Sequence, residues 1–248
     1  MNIIITPNYT ELSKQAAQII RQRICQKPTL TLGLATGSTP IGMYQELVKM
    51  EVKLFKNQEI NFQQVTTFNV DEYVGLAPDH EQSYHFFMQK NFFEHINIDK
   101  KNIFIPDGLT KNPTEHCAQY EQEIQNHGGI DLQILGIGRN GHIGFNEPGS
   151  PITSHTRIVQ LDAQTIHDNA RFFAHNLNTV PKQAITMGIA TILEARECIL
   201  LASGANKAEI IARTLAGPIC EKVPASFLQK HPNLTVLLDA KAAIKLSS

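Results

Sequence analysis

The sequence predicts an α/β fold: an open, mostly parallel sheet with helices on both faces, folded as a single domain over residues 1–248. Three observations carry this. Short β-rich apolar runs alternate with stretches of helical periodicity, which is the signature of βαβ units. A chain of 248 residues, 42% hydrophobic and 18% charged, can bury one large core and has ordinary globular composition. No repeat, low-complexity tract or charge block divides it, and the Pro/Gly clusters at 106–113 and 146–151 are loop-sized rather than linker-sized.

Taken in order, the chain opens with three consecutive isoleucines and no basic flank, too short for the apolar core of a secretory signal, so a cytoplasmic location is expected. Thr10 is placed to cap a first helix whose Leu12, Ala16, Ile19, Ile20 and Ile24 recur at helical spacing. Strands are expected at 29–35, 65–70, 102–105, 131–135, 184–187, 197–202 and 234–238. Helices are expected near 40–54, 83–95, 113–126, 189–195 and 205–216, the last stopped by Gly217-Pro218. The polar, weakly periodic stretch from about 155 to 183 is a candidate mobile lid over a site, or else a surface helix with long flanks.

Several function classes are excluded early. Twenty-two Lys and Arg against 23 Asp and Glu leave a formal charge of −1, so bulk electrostatics recruits neither nucleic acid nor an anionic membrane. The longest apolar runs fall far short of the roughly 20 residues that span a bilayer. Cys25, Cys117, Cys198 and Cys220 form no C-x-x-C pair, and the histidines show no metal-ligand spacing, so neither a disulfide framework nor a metal is expected.

In open parallel sheets ligands bind beyond the carboxyl ends of the strands, and four such ends are chemically loaded. Thr36-Gly37-Ser38-Thr39-Pro40 reads as a small-residue loop entering a helix, with Thr39 at the cap and Pro40 at the first helical position. Such a loop suits an anion, and the missing Lys after Gly37 rules out a nucleotide P-loop. Alone, it reads more readily as a simple capped turn. Asn69-Val70-Asp71-Glu72-Tyr73 offers two carboxylates, one of which can serve as a base, although alone such a pair reads more readily as helix-capping or ion-paired acids, Glu72 in particular.

The third end, from Gly136 through Asn140, Gly141, His142 and Glu147 to Gly149, is the densest. It contains a literal G-x-G-x-x-G at 136–141, with Asp162 near the offset of a dinucleotide-binding acid. The context fails, because Gly144, Pro148, Gly149 and Pro151 prevent the helix such a motif must open. An imidazole and a carboxylate within five residues suit acid–base chemistry instead. The fourth end, Ser203-Gly204-Ala205-Asn206-Lys207, puts a cation at a helix start, where the macrodipole disfavours it unless an anion binds. Arg171 is a second candidate cation.

These motifs carry a resemblance. LATGSTP (34–40), TTFNVDEYVGL (66–76), SYHFFMQKNFF (83–93), LGIGRNGHIGFNEPGS (135–150), ARFF (170–173), AITMGIATI (184–192) and SGANKA (203–208) together resemble the glucosamine-6-phosphate deaminase family over essentially the whole chain. The resemblance implies a Rossmann-like sheet. It also implies conversion of glucosamine 6-phosphate and water to fructose 6-phosphate and ammonia, a small-molecule amino-sugar phosphate as the partner, and no cofactor or metal. Carried onto this sequence, Asp71 matches the base for the C2 proton and His142 the catalyst of ring opening. Glu147 matches the carboxylate that tunes the histidine, and Asn140 stands where the commonest pattern has Asp. Gly37, Ser38 and Thr39, with Arg171 and Lys207, match the phosphate contacts.

The alternatives are a 6-phosphogluconolactonase-like sugar-phosphate hydrolase, whose comparable loop lacks the Phe-Asn-Glu-Pro continuation, and a non-catalytic sugar-phosphate sensor. Allosteric relatives bind N-acetylglucosamine 6-phosphate through a serine pair and an Arg-x-Lys. Here these have become Ser150-Pro151 and Arg157-Ile158-Val159, so no such activation is expected. The oligomeric state is left open by the sequence.

Overall fold

A computed structural model describes residues 1–52 and 60–246. Its main sheet has seven parallel strands: β1 (Asn2–Thr6), β2 (Thr31–Leu34), β3 (Thr66–Asn69), β5 (Ile103–Phe104), β6 (Leu132–Leu135), β9 (Glu197–Ala202) and β10 (Leu234–Asp239). Across the sheet they run β1-β10-β9-β6-β2-β3-β5. A second, three-stranded antiparallel sheet holds β4 (Asp71–Tyr73), β8 (Gln183–Thr186) and β7 (Arg157–Gln160) in the order β4-β8-β7.

The apolar residues of the main sheet sort to two faces because side chains alternate along each strand. On one face Leu32, Leu34, Ile134 and Ile199 meet α1 (Tyr9–Gln26), α2 (Ile41–Val52) and α3 (Tyr84–Asn91) through Leu12, Ile20, Tyr44, Leu47 and Met88. On the other, Phe68, Leu135, Leu200 and Val236 meet α4 (Pro113–Asn126), α6 (Ile189–Leu193) and α7 (Ala208–Ala216). The expected α/β architecture is therefore present, with helices on both faces. From β2 the chain proceeds outward through β3 to β5, then returns to place β6 on the other side of β2. The crevice between β2 and β6 is thus a topological switch point, the preferred ligand site of open α/β sheets.

Several boundaries and elements differ from expectation. The cap of α1 is Asn8, whose side chain accepts from the Glu11 amide, rather than Thr10. Helix α2 begins at Ile41, one residue later than expected, with the Tyr44 amide on the Pro40 carbonyl. The last residues of the helix expected near 40–54 fall outside the described ones. Strands β1, β4 and β7 were not anticipated, and 184–187 corresponds to β8 in the antiparallel sheet. The 155–183 stretch is neither featureless nor one helix: it carries β7, α5 (Ala163–Asn169) and a 3-10 turn at Ala170–Phe172. A separate apolar cluster of Tyr73, Phe145, Leu161, Ala170, Phe173 and Val180 holds it down. Among the described residues, no helix is long and apolar enough to cross a membrane.

Candidate active site

Loop 136–149 leaves β6 at the switch point and reaches β7 without entering a helix, as the sequence context required. Two of its glycines bear directly on the site. The His142 ring lies so close over Gly138 that a methyl group there would sit 2.1 Å from Cε1. Gly144 has φ +57°, and a methyl group on it would lie 2.8 Å from Thr186 Oγ1 and 3.5 Å from Asp71 Oδ2. The Asp71 carboxyl therefore abuts the loop between His142 and Glu147. Thr186 pairs with Asp71 across β4 and β8 and accepts the Phe145 amide at 3.1 Å, tying the two parts together.

Within the loop, the Asn140 amide donates to Glu147 Oε2 at 2.7 Å, and the Asn140 carbonyl oxygen accepts the His142 backbone amide at 3.2 Å. His142 Nδ1 faces the same Glu147 oxygen at 3.4 Å, without the alignment of a formed hydrogen bond. The other Glu147 oxygen accepts the Thr165 hydroxyl from α5. Burial alone pushes the Glu147 carboxyl up, but the His142 ring, the Thr165 hydroxyl and the Asn140 amide outweigh it and hold the group below the usual carboxylate range. Asn146, fully buried, donates to the Ile143 and Met187 carbonyls and accepts from Arg157, which also donates to Ser150 Oγ at 3.2 Å.

The two acids at the β3 end have separated roles. Glu72 accepts the backbone amides of Tyr73, Tyr84 and His85, so it caps the start of α3 and is structural; burial still raises it to about 7. Asp71 is 6% exposed, and its Oδ1 has no hydrogen-bond partner among the described residues. Burial, reinforced by Glu72, holds it well above the ordinary Asp range. A buried, unsatisfied carboxyl costs stability, which makes this group a candidate for function. The rings of Tyr73, two residues beyond Asp71, Tyr84 and Phe145 pack against one another, with Tyr84 and Phe145 stacked at 5.8 Å between centroids.

At the loop after β2, Gly37 has φ +96° and, with Ser38, is exposed. The Tyr9 hydroxyl interacts with the Ser38 and Thr39 carbonyls and accepts the Gly42 amide at 2.8 Å, so one early helix amide is already engaged. Lys207 lies on the 3-10 turn that precedes α7, and its ammonium donates to the Ile137 carbonyl at 2.6 Å, joining the fourth strand end to the histidine loop. Asp239 fixes the turn before it by accepting from Ser203 Oγ and the Gly204 amide. Arg171 is exposed, its guanidinium 4.6 Å from the Phe172 ring centroid, and stands apart from the groups gathered around His142 in the described contacts. Thr165, Tyr84 and Thr186 are the site neighbours that sequence reasoning missed. Among the described residues, no three His, Cys, Asp or Glu side chains are grouped to hold a metal.

With this geometry in hand, comparison with known proteins is specific. The profile of the glucosamine-6-phosphate isomerases/6-phosphogluconolactonase family matches residues 8–237. A glucosamine-6-phosphate deaminase of Thermoanaerobacter pseudethanolicus is 54% identical, covering 98% of this chain and 94% of that protein. The chain belongs to the glucosamine-6-phosphate deaminase family. Another deaminase of the family, from Halothermothrix orenii, is 52% identical over 98% of this chain and 99% of its own length. The solved structure of a monomeric glucosamine-6-phosphate deaminase superposes with a TM-score of 0.95 at 45% identity, covering 99% of this chain and 100% of that one. The 6-phosphogluconolactonase of Trypanosoma brucei shares the fold, with a TM-score of 0.79 at 22% identity over 99% of this chain and 98% of that one.

Proposed function

We propose that this protein converts glucosamine 6-phosphate and water to fructose 6-phosphate and ammonia. The observation that carries the reading is the juxtaposition of a buried, unsatisfied Asp71 carboxyl with the His142 and Glu147 pair across Gly144. In the proposed sequence, His142 takes the proton of the anomeric hydroxyl and returns one to the ring oxygen, opening the pyranose; Glu147, kept ionised, steadies the imidazole. Asp71 then removes the C2 proton. The resulting enolamine is reprotonated at C1, leaving an iminium at C2. Water adds there and ammonia departs, so the C–N bond is hydrolysed as the aldose becomes a ketose. The C1 aldehyde receives the electron pair released at C2, its oxygen gaining a proton, and the nitrogen lone pair then drives reprotonation at C1, which leaves an organic cofactor or metal with no step to perform.

A desolvated Asp71 is a stronger base than an exposed one once ionised, which suits abstraction from a weakly acidic carbon. Gly37, Ser38, Thr39 and Lys207 are assigned to the phosphate, together with Arg171 when the 155–183 segment closes as a lid. Binding energy from the remote phosphate then positions C1 and C2 for reaction. We place the activity in the cytoplasm, in keeping with a sequence whose cysteines form no C-x-x-C pair. Ammonia release should be assayed with glucosamine 6-phosphate beside its unphosphorylated and N-acetylated forms, with chelator present. Release from the first alone is expected. No release, or activity lost to chelator and restored by a divalent ion, overturns the reading.

A further inference from the structure

We infer that Thr165 is a positioning residue that locks the Glu147 carboxylate, so that Oε2 is the oxygen presented to His142. The inference rests on the acid–base reading of this site proposed above. Glu147 has two oxygens with different tasks. Oε2 receives the Asn140 amide at 2.7 Å and faces His142 Nδ1 at 3.4 Å, whereas Oε1 receives the Thr165 hydroxyl. A carboxylate held by one donor can still swing about that bond. One held by a donor on each oxygen has a fixed plane, and a second group fixed in this way is how an orienting carboxylate keeps an imidazole in one tautomer and direction.

The placement of Thr165 is itself built. Its side chain is buried at 5% exposure on a helix capped by Asp162, whose side chain accepts the Gln164 amide at 2.8 Å. One helical turn later Asn169 donates to the Tyr73 hydroxyl at 2.8 Å, two residues beyond Asp71. Residues four apart share a helix face, so one face of α5 bonds Glu147 at one end and the strand of Asp71 at the other. Ala170 and Ile166 pack into the small apolar cluster beneath. The helix thereby spans both halves of the acid–base set, and the seating of the 155–183 segment is read directly at Glu147.

The test compares Thr165→Val, which keeps shape and removes the hydroxyl, with Thr165→Ser, which keeps the hydroxyl. Steady-state ammonia release is measured together with the Glu147 carboxyl titration, followed by carbon NMR on the substrate-free protein. For Thr165→Val we expect kcat to fall about tenfold with KM nearly unchanged, because misplacement of a reacting group acts on the chemical step. The Glu147 midpoint should rise by about one pH unit as its ionised form loses a donor. Thr165→Ser should restore both. A Glu147 midpoint unmoved in Thr165→Val, an unaltered kcat, or a loss that Thr165→Ser does not repair overturns the inference. If the wild type releases no ammonia while the midpoint still moves, the substrate assignment fails and the lock stands.

Discussion

The Asn140 amide donates to Glu147 Oε2 at 2.7 Å, on the same oxygen that faces the His142 ring. An aspartate in place of Asn140, the residue commonest in the family pattern, would set a second carboxylate against Glu147 and replace a hydrogen-bond donor by a like charge. Two carboxylates in contact cannot both ionise easily, and one member of the pair is pushed up. Asn140→Asp should therefore move the acid limb of the pH dependence of kcat/KM to higher pH, by about one pH unit. An acid limb that does not move would mean that Glu147 ionisation does not govern the reaction.

Asp71→Asn should abolish exchange of the C2 proton, since an amide cannot accept it, with a rate loss of about 10² to 10⁴. The same change should stabilise the protein at neutral pH. The sign follows from linkage: burial raises the folded-state value above 3.8, so between the two values the folded state holds a proton that the unfolded state has lost. Stability contributed by Asp71 is fully present below the unfolded value and is lost as pH rises through the folded one. The Tm advantage of Asp71→Asn should accordingly grow with pH and vanish in acid. Scanning Tm against pH for both proteins checks this, and a constant difference would contradict it.

How much of this was legible in the sequence depended on the range of each signal. Strand 197–202 and helix 113–126 match expectation to the residue, because one is a continuous apolar run and the other begins at an Asn112-Pro113 cap. Strand β1 escaped notice because it lies at the sheet edge with Ile3 and Ile5 exposed, so it shows no clean burial pattern. Strand β4 is three residues long, and β7 is only partly buried. The same holds within the site. Asp71, His142 and Glu147 stand at strand ends with motif neighbours, whereas Thr165 reaches Glu147 from a seven-residue helix too short for its periodicity to be read. Tyr9 is 33 positions from the Gly42 amide it engages, a contact that only the folded chain brings about.

Gly138→Ala is a sharper probe of the histidine than removal of the ring. The added methyl would meet three His142 ring atoms at 2.1 to 2.4 Å, so the imidazole must leave its position. A displacement near 1 Å can cost about 100-fold in rate. We expect a loss of that order in kcat, with an unchanged far-ultraviolet circular dichroism spectrum. Wild-type turnover would show that the ring position seen here is not the working one.

Lys207→Ala should weaken binding of the phosphate ester, because a charge-assisted hydrogen bond to an anion is worth about 1.5 to 3 kcal/mol. The corresponding rise in KM is roughly tenfold to a hundredfold. Any residual turnover of unphosphorylated glucosamine should be indifferent to the change. Equal effects on both sugars would assign Lys207 to holding the Ile137 carbonyl, and so to the histidine loop, rather than to the phosphate.

The last expectation concerns activation by N-acetylglucosamine 6-phosphate, which family resemblance makes the effector to test. Two of the residues that allosteric relatives use for it are changed: Pro151 has neither hydroxyl nor amide hydrogen, and Val159 carries no charge. The two that remain are engaged inward. Arg157 donates to Asn146 Oδ1 at 2.9 Å and to Ser150 Oγ at 3.2 Å, and Ser150 is buried. Asn146 in turn secures the Ile143 and Met187 carbonyls beside Glu147, so drawing Arg157 toward an incoming phosphate would loosen the loop that carries His142. An effector shifts an equilibrium only by its difference in affinity for two states. Here it would have to break bonds that support the competent loop, while offered fewer contacts in return. Substrate saturation should be hyperbolic and unaffected by N-acetylglucosamine 6-phosphate, and Arg157→Ala should lower kcat by freeing Asn146. A sigmoidal curve made hyperbolic by the effector would show that Arg157 exchanges its partners at little cost.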